Sequence, residues 1–307
     1  MADVAGPIPP PPATVTYPWV DFNHVVNPNQ NLQYPASPCF YYAGMQAIWV
    51  TWSVSMDVLQ PFLASRGMVA VPLSGNGAVT VCFFNAACLF GNGTIPPHAP
   101  RNSGVYGFNE TELNIVACAA TVQQVTPMNF SVGDFLTNGD PTKRIGVFRQ
   151  WVAADDEAAV AAGQQVYKEN KFLASYTYSV PTWNNPSQPT YDWTCYAAGD
   201  ETHPIYTGHV DLSTLGQPVQ GNMSEWVDLS YDTTQNRVMG SRRNFFGTMN
   251  TYELPSSSNA VRITFGDSTH PMRADMQTLL QGAVPVAIQV FQSPPVIAEG
   301  SPYWADL

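Results

Sequence analysis

Residues 155–180 read Asp155-Asp-Glu-Ala-Ala-Val-Ala-Ala-Gly163-Gln-Gln-Val-Tyr-Lys-Glu-Asn-Lys171-Phe-Leu-Ala-Ser-Tyr-Thr-Tyr-Ser-Val180. Acidic residues at the positive end of a helix dipole, followed by alanines and then Gly163, predict a short helix ending at that glycine. The β-branched and aromatic run from Phe172 to Val180 predicts a strand. Lys171 therefore stands where a strand begins, with Phe172, Leu173, Tyr176 and Tyr178 close by.

Similar strand-like runs recur on both sides of this stretch: Ala47–Val54, Ala78–Phe84, Leu113–Ala119, Val261–Phe265 and Val284–Phe291. Helical spacing is confined to residues 56–63, 155–163 and 271–280, with Pro271 at a first-turn position. Strands do not alternate with helices, which disfavours a doubly wound α/β fold. The expectation is a mainly β protein, a single large antiparallel β-barrel or sandwich with a few helices. Residues 1–35, with the Pro9–Pro12 run and an Asn/Gln-rich stretch, predict an extended arm ahead of one domain over 36–307.

Composition narrows the function. Twelve basic residues against 23 acidic ones give a net charge of −11, the wrong sign for nucleic acid or an anionic membrane surface. No apolar run is long enough to cross a bilayer, and residues 1–13 lack the pattern of a cleaved secretory signal. The five cysteines form no C-x-x-C pair and read as buried thiols, so a cytoplasmic setting is expected. His203, His209 and Asp211 lack a zinc-site spacing, and no metal is expected.

An amine nucleophile has only three side-chain candidates here: Lys143, Lys168 and Lys171. A lysine reacts near neutral pH when its ammonium form is disfavoured, and apolar surroundings at Lys171 are expected to lower its pKa through burial. In a second segment, Val105-Tyr-Gly-Phe-Asn-Glu110-Thr-Glu112-Leu, a carboxylate stands at the start of a strand, and Glu110 and Glu112 share one face by the period of two. Such a carboxylate suits proton transfer during imine formation.

Taken together, these residues resemble the acetoacetate decarboxylase superfamily. Gly163-Gln-Gln-Val-Tyr-Lys-Glu-Asn-Lys171-Phe-Leu-Ala resembles its lysine motif, and Phe108-Asn-Glu110-Thr resembles its glutamate segment. The stretch Val50–Leu59 is similar to its early strand-then-helix signature, and Gly266-Asp-Ser-Thr-His270-Pro to a late stretch of many members. The resemblance implies that Lys171 is a Schiff-base lysine and Glu110 its acid/base carboxylate. It also implies a cofactor-free lyase acting on a small carbonyl substrate, assembled as a homo-oligomer.

Departures from the pattern bear on substrate. Where the family has a second lysine, this chain has Phe172; where it has an arginine for an anionic substrate, the chain has Met45 or its neighbours. Those positions and Glu112 belong to the implied substrate pocket, with Arg149 as a substitute anion anchor. Weak acetoacetate decarboxylation is expected, with aldol-type or dehydration chemistry on a less charged carbonyl in its place. The alternative is a barrel that binds a small molecule, or catalyses by shape, without an imine.

Overall fold

The computed structural model describes residues 40–90, 105–125, 129–140, 144–165, 167–182, 185, 187–221, 225–245, 247–293, 297–299 and 303–305. The 1–35 arm and Lys143 lie outside them. Among the described residues the strands are β1 (Phe40–Val54), β2 (Met68–Ala70), β3 (Gly77–Phe90), β4 (Val105–Ala119), β5 (Gly146–Ala154), β6 (Lys171–Ser179), β7 (Thr190–Ala197) and β8 (Pro204–Asp211). They continue with β9 (Val219–Gly221), β10 (Glu225–Asp232), β11 (Arg237–Phe245), β12 (Met249–Glu253), β13 (Val261–Phe265), β14 (Val284–Ser293), β15 (Ile297–Glu299) and β16 (Tyr303–Trp304). The helices are α1 (Met56–Leu63), α2 (Ala120–Val125), α3 (Val132–Asn138), α4 (Glu157–Gln165) and α5 (Pro271–Leu280).

The hydrogen-bonded neighbours run β1, β3, β4, β5, β10, β11 and β15, and β15 pairs with β1 again. This cyclic order is the connectivity of a barrel, with the β5–β10 pairing limited to two positions. The mainly β reading holds, and most pairings are antiparallel. Two are parallel: β5 with β10 and β5 with β6. A parallel neighbour needs a crossover, and α4 supplies it between β5 and β6. That one β-α-β unit is the element the strand-rich reading did not include. The crossover helix also runs two residues past Gly163, where the alanine-rich pattern had suggested its end.

One line of register explains the interior. Trp49 faces Cys82, Cys82 faces Glu112, Glu112 faces Val152, and Val152 faces Lys171. Residues opposite one another on adjacent strands share a sheet face, so polar and apolar side chains from five strands meet inside. Trp49, Phe245 and Phe291 pack edge to face at one part of this interior.

The outer face of the barrel is covered as well. Strands β6, β7, β8 and β13 form an antiparallel layer. Trp193 of β7 stacks on Phe83 of β3, and its indole N–H donates to the Tyr206 hydroxyl at 2.8 Å. Tyr206 in turn donates to Thr111 at 3.0 Å, tying the layer to β4. Helix α5 is capped by His270, whose Nδ1 accepts from the Met272 N–H, and buries Met272, Met276, Leu279 and Leu280. Each such buried side chain contributes roughly 1.5–3 kcal/mol by leaving water. Among the described residues no helix is long and apolar enough to cross a membrane.

Candidate active site

Lys171 opens β6 where β5 changes partner. The Val152 N–H donates to the Asn170 carbonyl at 3.0 Å, and the Asn170 amide donates to the Gln150 carbonyl at 2.9 Å. Gln164 of α4 donates to the Lys171 carbonyl at 2.6 Å. These bonds hold the lysine backbone against the barrel wall, and the period of two turns its side chain inward. Gly163 is needed beneath it: a Cβ there would lie 2.4 Å from both Lys171 Cδ and Glu169 Oε2.

Inside, Lys171 Nζ stands 2.5 Å from Glu110 Oε2 and 3.6 Å from Glu169 Oε2. Glu110 lies well within β4, not at its start as the sequence had suggested. Glu112, two residues on, takes Arg149 Nη2 at 3.1 Å and Arg243 Nη2 at 3.2 Å. Asp228 pairs with Arg149 and, at 3.1 Å, with Arg243. Arg149 also pairs with Glu169. Asn114 donates to the far oxygen of Glu112 at 2.8 Å. Lys171, Arg149 and Arg243 thus meet Glu110, Glu112, Glu169 and Asp228, all buried.

Burying charges is costly, and even well-paired buried ions bring little net stability over apolar packing of the same volume. A cluster of this size inside a barrel therefore marks the candidate site. Burial, with Glu112 and Glu169 adding repulsion, pushes the Glu110 carboxyl up to about 8 against the pull of Lys171 and Arg149. Burial also keeps Cys82 protonated, with Glu112 and Glu110 adding to the effect, so a thiolate nucleophile is disfavoured there.

Lys171 departs from expectation. Burial is the largest influence and does lower its pKa, but Glu110 and Glu169 together outweigh it and leave the pKa above the ordinary lysine value. The sequence reading had the desolvation and lacked the second carboxylate.

The other sequence-derived positions separate into two groups. Arg149 enters the cluster. Met45 is buried on the same sheet face, opposite Ala86, which is opposite Phe108. Phe172 does not enter: it stacks on His270 with ring centres 4.0 Å apart and meets Trp151 edge to face. Its side chain lies on the opposite face from Lys171, as alternation along a strand requires. Lys168 has a left-handed φ of 54° and lines an outer cavity. Glu169, Asp228 and Arg243 were not singled out from sequence, although an acidic residue two places before a reactive lysine was a usable signal for Glu169.

No family model and no curated protein sequence matches the chain. Solved structures do. MppR, an enduracididine biosynthesis enzyme complexed with pyruvate, matches with a TM-score of 0.56 at 12% identity, over 90% of this chain and 93% of that one. An acetoacetate decarboxylase-like enzyme from Sphingomonas wittichii RW1 matches at 0.54 and 12%, over 95% and 99%. Acetoacetate decarboxylase from Legionella pneumophila matches at 0.54 and 12%, over 94% and 98%. The chain has the fold of the acetoacetate decarboxylase-like enzymes along nearly its whole length.

Proposed function

We propose that the protein is a cofactor-free lyase that joins Lys171 to a small carbonyl substrate as an imine. The observation that carries this reading is the buried Lys171–Glu110 contact of 2.5 Å inside the barrel. A proton passed from the ammonium to a neighbouring carboxylate frees the amine, which attacks the carbonyl carbon. A carboxylic acid then protonates the departing hydroxyl, water leaves, and a protonated imine remains. That cation is an electron sink for breaking or making the adjacent carbon–carbon bond.

The charge of the interior supports a substrate without a carboxylate. Three cations face four carboxylates, and each cation has a carboxylate partner. An added anion would find no surplus positive charge, and burying it without a partner is costly. Met45 offers none either. Aldol-type or dehydration chemistry on a neutral ketone or aldehyde fits better than decarboxylation of a keto acid. MppR, of the same fold, is complexed with pyruvate, so keto acids belong in the test panel.

One observation favours a second reading. Glu110 and Glu169 hold Lys171 in its charged form, as suits a barrel that binds a small molecule without covalent chemistry. Borohydride reduction in the presence of ketones, aldehydes and keto acids, read by intact mass, separates the two. A stable adduct supports the imine; an unchanged mass across the panel favours the binder. Assembly as a homo-oligomer rests on the resemblance alone and is open to light scattering.

A further inference from the structure

Between β5 and β10 the barrel wall is not continuous. The two strands pair only at Val147–Asp228 and Phe148–Leu229. Beyond that point residues 167–170 fill the gap, with the Ser230 hydroxyl donating to the Tyr167 carbonyl. Outside them lies a cavity of about 490 Å³, lined in part by Arg66, Lys168, Asn170, Asp232 and Thr234. Arg149 and Glu169 belong to both the cavity wall and the buried cluster. Lys171 and Glu110 do not line it.

Glu169 thus stands between the amine and this polar space. One of its oxygens is held by Arg149, and the other, Oε2, has no hydrogen-bond partner and lies 3.6 Å from Lys171 Nζ. Its contact with the ammonium is an ion pair too long for a hydrogen bond. The oxygen is placed to accept a proton.

We propose that Glu169 is a second proton carrier for Lys171, taking the ammonium proton and exchanging it through the cavity between β5 and β10, while Glu110 serves the carbonyl oxygen. The proposal rests on the imine reading. The proton count closes. Lys171 starts with three protons on nitrogen, and the imine keeps one. Two leave in the water formed from the carbonyl oxygen, and Glu110 and Glu169 hold one proton between them before and after. Two carboxylates, 2.5 Å and 3.6 Å from one nitrogen, let one act as base while the other acts as acid.

The test is the rate of borohydride-trapped adduct formation with a neutral aldehyde, measured against pH in the full chain. Glu169→Gln is expected to trap at least about tenfold more slowly, a floor below the ~10²–10⁴-fold that general acid–base groups supply. Glu169→Ala should regain rate with added formate or acetate, which reach position 169 through the cavity, and the gain should depend on the acidity of the added acid. A structural role would not give that dependence. Glu169→Asp, which keeps the carboxylate, should retain more rate than Glu169→Gln and carries the test if the glutamine variant does not fold. If Glu169→Gln matches wild type in rate and pH profile, or rescue ignores acidity, the assignment falls while the imine reading stands. If wild type forms no adduct, both fall.

Discussion

Lys171 and Glu110 reach one another from different strands, the first residue of β6 and the middle of β4, and meet at 2.5 Å with both side chains buried. Burial acts most strongly on both groups, and at that separation each also shifts the other's protonation. The carboxyl is raised to about 8 and the ammonium is held. A carboxyl raised in this way is a stronger proton acceptor than an exposed glutamate.

Removing the carboxylate separates nucleophilicity from proton transfer. In Glu110→Gln, burial remains and the leading counter-influence on Lys171 is gone, so its pKa should fall. Amine-directed acylation above about pH 8, where the wild-type carboxylate is ionised, should then be faster than in wild type. Turnover of the imine should be slower by about a hundredfold, because the acid is missing. Acylation that slows, or stays unchanged, contradicts this.

Stability should carry the signature of Glu110. Its folded-state pKa of about 8 lies above the ordinary 4.5, so between those values the folded state holds a proton that the unfolded chain has released. Stability from this group is therefore lost as pH rises through that window. Denaturant midpoints of wild type should fall relative to Glu110→Gln from about pH 5 to about pH 8. Parallel curves for the two proteins would show that the carboxyl is not raised.

Gly163 sets the floor under the lysine. Alanine there gains up to about 1 kcal/mol of helix propensity. Its methyl, however, meets Lys171 Cδ and Glu169 Oε2 at 2.4 Å, and overpacking costs ~1–3 kcal/mol. Net stability of Gly163→Ala should change little or fall slightly, while trapping at Lys171 falls at least about tenfold, a loss of more than ~1.4 kcal/mol at the transition state. Wild-type trapping in this variant would show that the close approach is not needed.

Substrate charge is tested at Met45. Carbon dioxide release from acetoacetate should be weak in wild type. In Met45→Arg, a guanidinium on the face that carries Glu110 should raise both acetoacetate trapping and release. Arg149→Ala leaves Glu112, Glu169 and Asp228 short of a partner and should cost about 3–5 kcal/mol of stability. Brisk release by wild type would overturn the neutral-substrate argument.

The parts of the site legible in the sequence are those marked by scarcity or by a local pattern. Lys171 is one of three lysines and follows a helix-then-strand signature; Glu110 and Glu112 sit two apart in a strand. Asp228 and Arg243 carry no such mark. On β10, Val227 and Leu229 alternate with Asp228 and Ser230, a pattern that reads as apolar inside and polar outside. Here both faces are buried, and the polar face is the one turned into the barrel. Phe172 was misplaced for the related reason that adjacency in a strand means opposite faces. The parallel β5–β10 and β5–β6 pairings depend on contacts between distant segments that no local spacing reveals.

The most direct test of the account is to map the lysine. Wild type, reduced with borohydride in the presence of a neutral aldehyde and then digested, should carry the adduct on the peptide containing Lys171 and lack it on Lys143 and Lys168, and Lys171→Arg should carry none. An adduct shared among the three lysines, or one that persists in Lys171→Arg, would contradict the assignment of Lys171 as the imine-forming residue.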